Sequence, residues 1–326
     1  GTVDALVAAT GGATHETTVL GPTGESVGAV WGELGGDGAA AIEMAGAAGL
    51  AMIPKSLRDP TRTTTFGFGQ LIREAIEHGA SRIILGLGGS ATTDAGCATA
   101  QALGVTFRDG RGHPINRPLT GGDLVDIASI DLSTLDPRVR RMTITAACDV
   151  SNPLFGPTGA AAVYGPQKGA TAEQVEQLDA GLEHVAGLVG GDHANTPGAG
   201  AAGGLGWGLL ALLGAELRPG VAIVLDAVGF ADRVAAADLC LTGEGRLDET
   251  SLSGKACVGV MDRARRVGVP TIALVGCLGL TSQWLRDAGF ADCEVIGQGL
   301  ETDEAIRRGP QLLASAAARV VGRMRR

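Results

Sequence analysis

Thr242-Gly243-Glu244-Gly245-Arg246-Leu247-Asp248-Glu249-Thr250, followed by Ser253-Gly254-Lys255, is the stretch from which the fold of this chain is read. It succeeds the apolar run Asp238-Leu239-Cys240-Leu241 and precedes residues with helical spacing, which predicts a loop at the end of a buried strand. Ligands of open α/β sheets bind at such strand ends. Glycine backbone admits a phosphate closely, arginine and lysine neutralise it, and carboxylates hold Mg²⁺ or take a proton. Groups of this kind suit phosphoryl transfer to a small polar acceptor.

Outward from this motif, residues from Val221 alternate between strand and helix patterns. Ala222–Leu225, Leu239–Leu241, Thr271–Val275 and Glu294–Ile296 read as strands. Helices are predicted over residues 255–266 and from Asp303, the latter broken near its start by Pro310. Such βα alternation indicates a parallel, three-layer α/β region. Upstream, Val3–Thr10 reads as a helix closed at Gly11-Gly12, and Thr17–Leu20 with Val27–Leu34 as a hairpin. Ala40–Met44, Arg82–Leu85 and Met142–Ala147 read as strands, and Phe66–Glu77 and Ala172–Val189 as helices. A second hairpin is expected from Val105–Phe107 and the segment after Asp109-Gly110. Gly198–Gly208 should open an apolar helix around Leu209–Leu213. This portion reads as a second α/β domain with hairpins mixed in.

Composition narrows the function classes. The 326 residues are 45% hydrophobic but only 3% aromatic, with 53 glycines, so the core must be built from small and aliphatic side chains packed closely. The net charge is −9 and no Lys/Arg cluster is interleaved with aromatics, which argues against a nucleic-acid surface. Cys97, Cys148, Cys240, Cys257, Cys277 and Cys293 are scattered without metal-ligand spacing, and the five histidines lack the context of a nucleophile triad. No signal peptide or membrane-spanning run is visible, which makes the cytoplasm the expected compartment.

Gly86-Leu87-Gly88-Gly89-Ser90-Ala91-Thr92-Thr93-Asp94-Ala95-Gly96 is a second glycine-rich turn between strand and helix. Amides at a helix start bind anions, and the hydroxyls add donors. Asp94 also reads as a simple N-cap. Neither this loop nor Gly254-Lys255 has the spacing of a P-loop or a dinucleotide fingerprint. Lys168, within Gly165-Pro-Gln-Lys168-Gly169, is either a solvated turn lysine or a phosphate ligand. Asp149 and Asn152 lie just past a strand, as an Asx-type turn or as substrate contacts.

Five segments, Ile84–Gly96 (ILGLGGSATTDAG), Ala147–Pro153 (ACDVSNP), Tyr164–Thr171 (YGPQKGAT), Gly198–Gly206 (GAGAAGGLG) and Leu241–Lys255 (LTGEGRLDETSLSGK), together resemble the bacterial glycerate kinases of the type associated with glyoxylate and glucarate breakdown. They occur in the same order across essentially the whole chain. The resemblance implies ATP- and Mg²⁺-dependent phosphorylation of D-glycerate, with 2-phosphoglycerate as product. It also implies two α/β domains with the active site in a cleft: a discontinuous Rossmann-like domain, assigned here to 221–326, and an inserted mixed α/β domain, assigned to 1–220. Family members begin with a strand leading to P-D-S-F-K-G-S and then carry D-G-G-E-G-T, whereas this chain starts at Gly1-Thr2-Val3. The Rossmann-like part is therefore expected to be incomplete, with an exposed sheet edge and exposed apolar helix faces.

On this resemblance and the motif positions, Gly88, Gly89, Ser90, Gly243 and Gly245 cradle phosphate or carboxylate, and Lys168 and Lys255 neutralise phosphate. Glu244 and Asp248 are the Mg²⁺ candidates, and Arg246 clamps the carboxylate of glycerate. Asp94, then Asp248, is expected to orient the acceptor hydroxyl; Asp149 and Asn152 are expected substrate contacts. Three alternatives stand beside this reading: an inactive homologue that binds a sugar acid, a kinase forming 3-phosphoglycerate, and a kinase of a related small hydroxy acid. A homodimer is compatible with all of them.

Overall fold

The computed structural model describes residues 2–36, 38–248 and 256–324. Helix α1 (Thr2–Thr10) ends where Gly11 takes a φ of +70°, and the chain turns into the hairpin of β1 (Ala13–Leu20) and β2 (Ser26–Glu33). β3 (Ala39–Glu43) is buried along almost its whole length and needs cover on both faces. After the short α2 (Ala45–Ala48), the amphipathic α3 (Phe66–Glu77) provides part of that cover through Phe68, Leu71 and Ile72, all without exposed surface. Each such large apolar side chain contributes about 1.5–3 kcal/mol.

β4 (Arg82–Gly86) and α4 (Cys97–Ala102) flank the glycine loop. β5 (Thr106–Arg108) pairs with β6 (Ser129–Asp131) as an antiparallel ribbon. The expected local hairpin thus has a more distant partner: the turn at Asp109–Gly112 returns the chain only to a single bridge, Arg108 to Pro114. β7 (Thr143–Ala147), α5 (Ala160–Tyr164), α6 (Ala172–Val189), α7 (Ala201–Leu213) and β8 (Glu216–Arg218) follow. The main sheet has the order β1-β2-β3-β4-β7-β8, antiparallel through β3 and parallel from β3 to β8.

By internal contacts the chain divides into two compact units, Gly1–Gly220 and Val221–Arg326. In the second, α8 (Gly220–Ala227) and α9 (Phe230–Ala235) precede β9 (Cys240–Leu247). α10 (Ala256–Arg266), β10 (Thr271–Leu278), α11 (Ser282–Ala288), β11 (Asp292–Val295), α12 (Thr302–Arg307) and α13 (Gly309–Met324) complete it. Its sheet is parallel, in the order β11-β10-β9. β9 lies at one edge, and Leu241, Ile306, Leu313 and Val321 are exposed in this unit. Among the described residues no helix is long and apolar enough to cross a membrane.

Two expectations fail in the second unit. Ala222–Leu225 is helical, part of α8; four apolar residues carry no period that separates strand from helix. Its register is set by packing, because Val221 fills the space over Gly259 of α10 and Asp226 pairs with Arg263 at 2.6 Å. Gly243–Gly245 is not a loop but the middle of β9, in register with β10 through Gly243–Leu274 and Glu244–Val275. A Cβ on Gly243 would stand 2.5 Å from the Leu274 carbonyl oxygen, so glycine here serves a close strand approach.

The glycine–alanine stretch before Leu209 has a packing reason. Ala202, Gly203 and Gly204 take φ of +53°, +71° and +88°, and Ala95 in the facing loop takes +55°. The Ala95 amide donates to the Gly203 carbonyl at 3.2 Å, and a Cβ on Gly203 would lie 1.9 Å from the Thr92 carbonyl oxygen. Gly203→Ala is therefore expected to destabilise by roughly 2–3 kcal/mol. Gly187→Ala, inside α6 with nothing within 4 Å of its Cβ position, should instead stabilise by about 0.5–1 kcal/mol. Urea denaturation of both variants checks the pair, and equal midpoints would refute the interlock.

Candidate active site

In the first unit the parallel strands end together, with Glu43, Gly86, Ala147 and Arg218 in successive register. The segments beyond β4 and β7 therefore leave the sheet side by side. This brings Gly88, Gly89 and Ser90 onto the same edge as Asp149 and Asn152. Gly88 and Gly89 are exposed, and nothing lies within 4 Å of where a Cβ on Gly88 would sit. Gly89 takes a φ of +75°, which glycine adopts without strain. Its carbonyl accepts from the Leu50 amide at 2.7 Å, so a neighbouring turn braces the loop. Arg58 shapes that turn by donating to the carbonyls of Ile53 and Leu50 at 3.2 and 3.3 Å. A lone arginine between two prolines gave no sign of this role in the sequence.

Lys168 lies beneath the loop. It is 2% exposed, and its Nζ donates to the Thr92 carbonyl at 2.6 Å and to Ser90 Oγ at 3.5 Å. Burial pushes its pKa down to about 7, against the opposing pull of the Asp94 carboxylate. The reading of Lys168 as a solvated turn residue is thereby corrected. Ser90 Oγ also accepts from the Thr92 amide at 3.1 Å and donates to the Ala202 carbonyl at 3.3 Å. Thr93 Oγ1 is buried without a hydrogen-bond partner among the described residues.

Asp94 has no exposed surface. Its Oδ2 accepts from the amide and hydroxyl of Thr65, both at 2.8 Å, and its Oδ1 from the Gly96 amide at 3.1 Å. Burial raises its pKa to about 6, offset in part by those hydrogen bonds. It is not the N-cap of α4, where Gly96 stands without a side-chain cap. Both of its oxygens are buried and directed at donors within the protein. What Asp94 does is tie the glycine loop to Thr65, the residue before α3.

Asp149 is exposed, with Oδ1 held by the Gly220 amide at 2.8 Å. Asn152 donates to the Thr158 carbonyl at 2.8 Å and accepts from Tyr164 Oη at 2.7 Å. The bonds named for these two side chains run to residues well beyond a local Asx-type turn.

In the second unit, β9 carries Gly243, Glu244, Gly245 and Arg246, and Asp248 follows its end. Arg246 is exposed; its Nε donates to Asp248 Oδ2 at 3.1 Å, and its guanidinium reaches within 3.9 Å of Cys277 Sγ. Glu244 is half-buried, and its Oε1 is buried without a partner among the described residues. Strand geometry separates Glu244 from Asp248 by roughly 13 Å, too far for both to grip one ion. Among the described residues no three His, Cys, Asp or Glu side chains gather as a metal site. Lys255 lies outside the described residues, together with the segment 249–254.

Each unit thus presents anion-binding chemistry at the carboxyl ends of parallel strands: bare glycine backbone over a buried ammonium in one, a forked guanidinium beside a carboxylate in the other. The description "Glycerate kinase family" belongs to a family model that matches residues 1–325. A glycerate kinase from Halalkalibacterium halodurans is 45% identical over 98% of this chain and 85% of its own length. A glycerate 2-kinase from Escherichia coli K12 is 45% identical over 94% of this chain and 81% of its own. A crystal structure from Salmonella typhimurium LT2, provisionally assigned as glycerate kinase 2, superposes with a TM-score of 0.84 at 40% identity, covering 99% of this chain and 87% of that one. By its sequence, its fold and these relatives, the chain belongs to the glycerate kinase family.

Proposed function

We propose that this chain transfers the γ-phosphate of ATP to D-glycerate, with 2-phosphoglycerate as the product. The observation that carries the reading is the exposed Gly88–Gly89 backbone at a parallel strand end, with the Lys168 ammonium buried against Ser90 and Thr92 of the same loop. Phosphoryl transfer passes through a loosely bonded transition state, so positioning and charge neutralisation do most of the catalysis. Gly88, Gly89 and Ser90 cradle an anionic oxygen group, and Lys168 stiffens and charges the loop from below. Asn152 fixes the neighbouring strand-end segment. Asp149, with Oδ1 pinned by Gly220, offers its other oxygen to orient the acceptor hydroxyl, the role that burial denies to Asp94.

In the second unit, Gly243 and Gly245 keep β9 bare beside the ligand, and Arg246 forks onto anionic oxygens. Lys255 adds phosphate neutralisation. Mg²⁺ is commonly held by nucleotide phosphates and only one or two protein carboxylates, and a donor set of one, Asp248, fits that mode. When bound, the ion would neutralise phosphate charge. The small-molecule substrates and a cytoplasmic setting follow from the same reading.

A coupled assay tests the product. ATP, Mg²⁺ and D-glycerate with enolase, pyruvate kinase and lactate dehydrogenase, but no phosphoglycerate mutase, should oxidise NADH. A signal that needs added mutase would mean 3-phosphoglycerate and overturn the regiochemistry. Asp149→Asn keeps the acceptor for Gly220 and should lower kcat by about 10²–10³ with stability unchanged. Asp94→Asn turns an amide donor toward donors and should cost about 1–3 kcal/mol of stability. Kinetics and urea denaturation of the two variants should therefore separate; the reverse pattern would restore Asp94 as the reacting carboxylate.

Lys168 makes stability depend on pH. Its folded pKa of about 7 lies below the ordinary value of 10.5, so between the two the unfolded chain holds the extra proton. Stability from this group therefore rises with pH across that window. The stability difference between wild type and Lys168→Met should shift in favour of wild type from pH 7 to pH 10. A constant difference would mean that Lys168 titrates as a solvated lysine.

A further inference from the structure

Arg58 carries a charge that the first unit leaves unpaired. Its half-buried guanidinium donates from Nε and Nη2 to the Ile53 and Leu50 carbonyls and meets no carboxylate among the described residues. Nη1 has no acceptor there either. Leu50, whose carbonyl Arg58 holds, donates its own amide to the Gly89 carbonyl at 2.7 Å, and its neighbour Gly49 bridges to Ser90. One residue therefore separates the guanidinium from the glycine loop. Gly169, next to Lys168, packs on the Arg58 backbone so closely that a Cβ there would stand 2.3 Å from the Arg58 carbonyl oxygen. Arg58 thus sits between the brace of the loop and the turn that bears the buried ammonium.

A partly desolvated cation without a counter-ion favours an incoming anion. The loop needs such a charge to hold a carboxylate, because exposed Asp149 on the same strand-end edge repels one. Lys168 supplies it only in part. With a pKa of about 7 it is neutral in a large share of molecules near neutral pH, whereas a guanidinium keeps its charge. The shape of the acceptor points the same way. In a 2-hydroxy acid the hydroxyl and the carboxylate stand on adjacent carbons, so a hydroxyl oriented by Asp149 leaves the carboxylate to the neighbouring segment, Gly88–Ser90.

We propose that the Gly88–Gly89 backbone receives the carboxylate of the acceptor acid and that Arg58 is the positioning residue that selects it. Its fork onto Leu50 and Ile53 sets the loop, and its unpaired charge favours an acid over a neutral polyol. The assignment rests on the reading of this chain as a glycerate kinase with Asp149 at the acceptor hydroxyl, and it leaves Arg246 to the phosphates of the nucleotide.

D-Glycerate and its neutral amide, glyceramide, are the probes, titrated into the full chain by calorimetry with and without a non-hydrolysable ATP analogue. Wild type should prefer the acid by roughly tenfold or more, equivalent to at least about 1.4 kcal/mol. Arg58→Met removes charge and fork together and should abolish most of that preference. Arg58→Lys keeps the charge but reaches only one carbonyl, so it should weaken both ligands yet retain the preference. Affinity for the ATP analogue should stay the same in both variants. Circular dichroism checks folding, and Arg58→Gln, which keeps a donor for the carbonyls without the charge, stands in if Arg58→Met does not fold. A purely structural arginine would weaken acid and amide equally, and that outcome overturns the assignment. If wild type phosphorylates glycerate while the uncharged variant still prefers the acid, the carboxylate subsite falls and the kinase reading stands. An Arg58-dependent preference without phosphorylation keeps the subsite and sinks the kinase reading. No binding of D-glycerate to wild type in either titration overturns both.

Discussion

Backbone meets backbone where the loop 92–96 packs against the stretch 199–208, and the first unit's site depends on that contact. Gly203, Gly204, Gly206 and Gly208 each face a carbonyl, a Cα or a side chain that a Cβ would strike. Close approach of this kind removes water from everything underneath. Asp94, Thr92, Thr93 and Lys168 are buried for that reason, and their polar atoms must find partners inside the protein. The hydrogen bonds of Asp94 to Thr65 and of Lys168 to Thr92 satisfy that demand for the two charged groups, while Thr93 Oγ1 is without a partner among the described residues.

Burial also sets the electrostatics. A carboxylate and an ammonium that shift toward each other's titration range, to about 6 and about 7, share a small window in which both are charged. Against desolvation, the Asp94 carboxylate favours the charged form of Lys168, while hydrogen bonds from Thr65 and Gly96 favour that of Asp94. The outer face of the loop, by contrast, is left as glycine backbone, which presents dipoles without side chains. Buried polar scaffold and exposed glycine backbone are thus divided between the two faces of one loop.

Much of this was legible in the residues. Hydrophobic period and glycine stops located α1, the first hairpin, β3, β4, α3 and α6, because each is set by its own local pattern. The motifs at 86–96 and 147–153 were correctly singled out as strand-end segments, whereas 241–247 belongs to β9 itself. What the sequence did not reveal was depth. Asp94 and Lys168 have the look of surface residues, and contacts distant along the chain put them inside, Asp94 to Thr65 across 29 residues and Lys168 to Ser90 across 78. Gly243 and Gly245 read as loop because glycine disfavours strands, yet parallel pairing with β10 overrode that preference. The helix at 220–227 was missed because four apolar residues have no period to read.

The link between Ser90 Oγ and the Ala202 carbonyl spans 112 residues of sequence. During synthesis the glycine loop leaves the ribosome long before the segment that locks it, and at roughly 5–20 residues per second the interval lasts on the order of ten seconds. Until α7 arrives, the loop has no partner to hold Ala95 in its left-handed turn, and the charges of Asp94 and Lys168 stay in water. The second sheet makes shorter-range pairings, β9 with β10 and β10 with β11, and can close soon after its strands are made. The two halves of the enzyme therefore mature on different clocks, and the first half to be translated waits for a lock near residue 200.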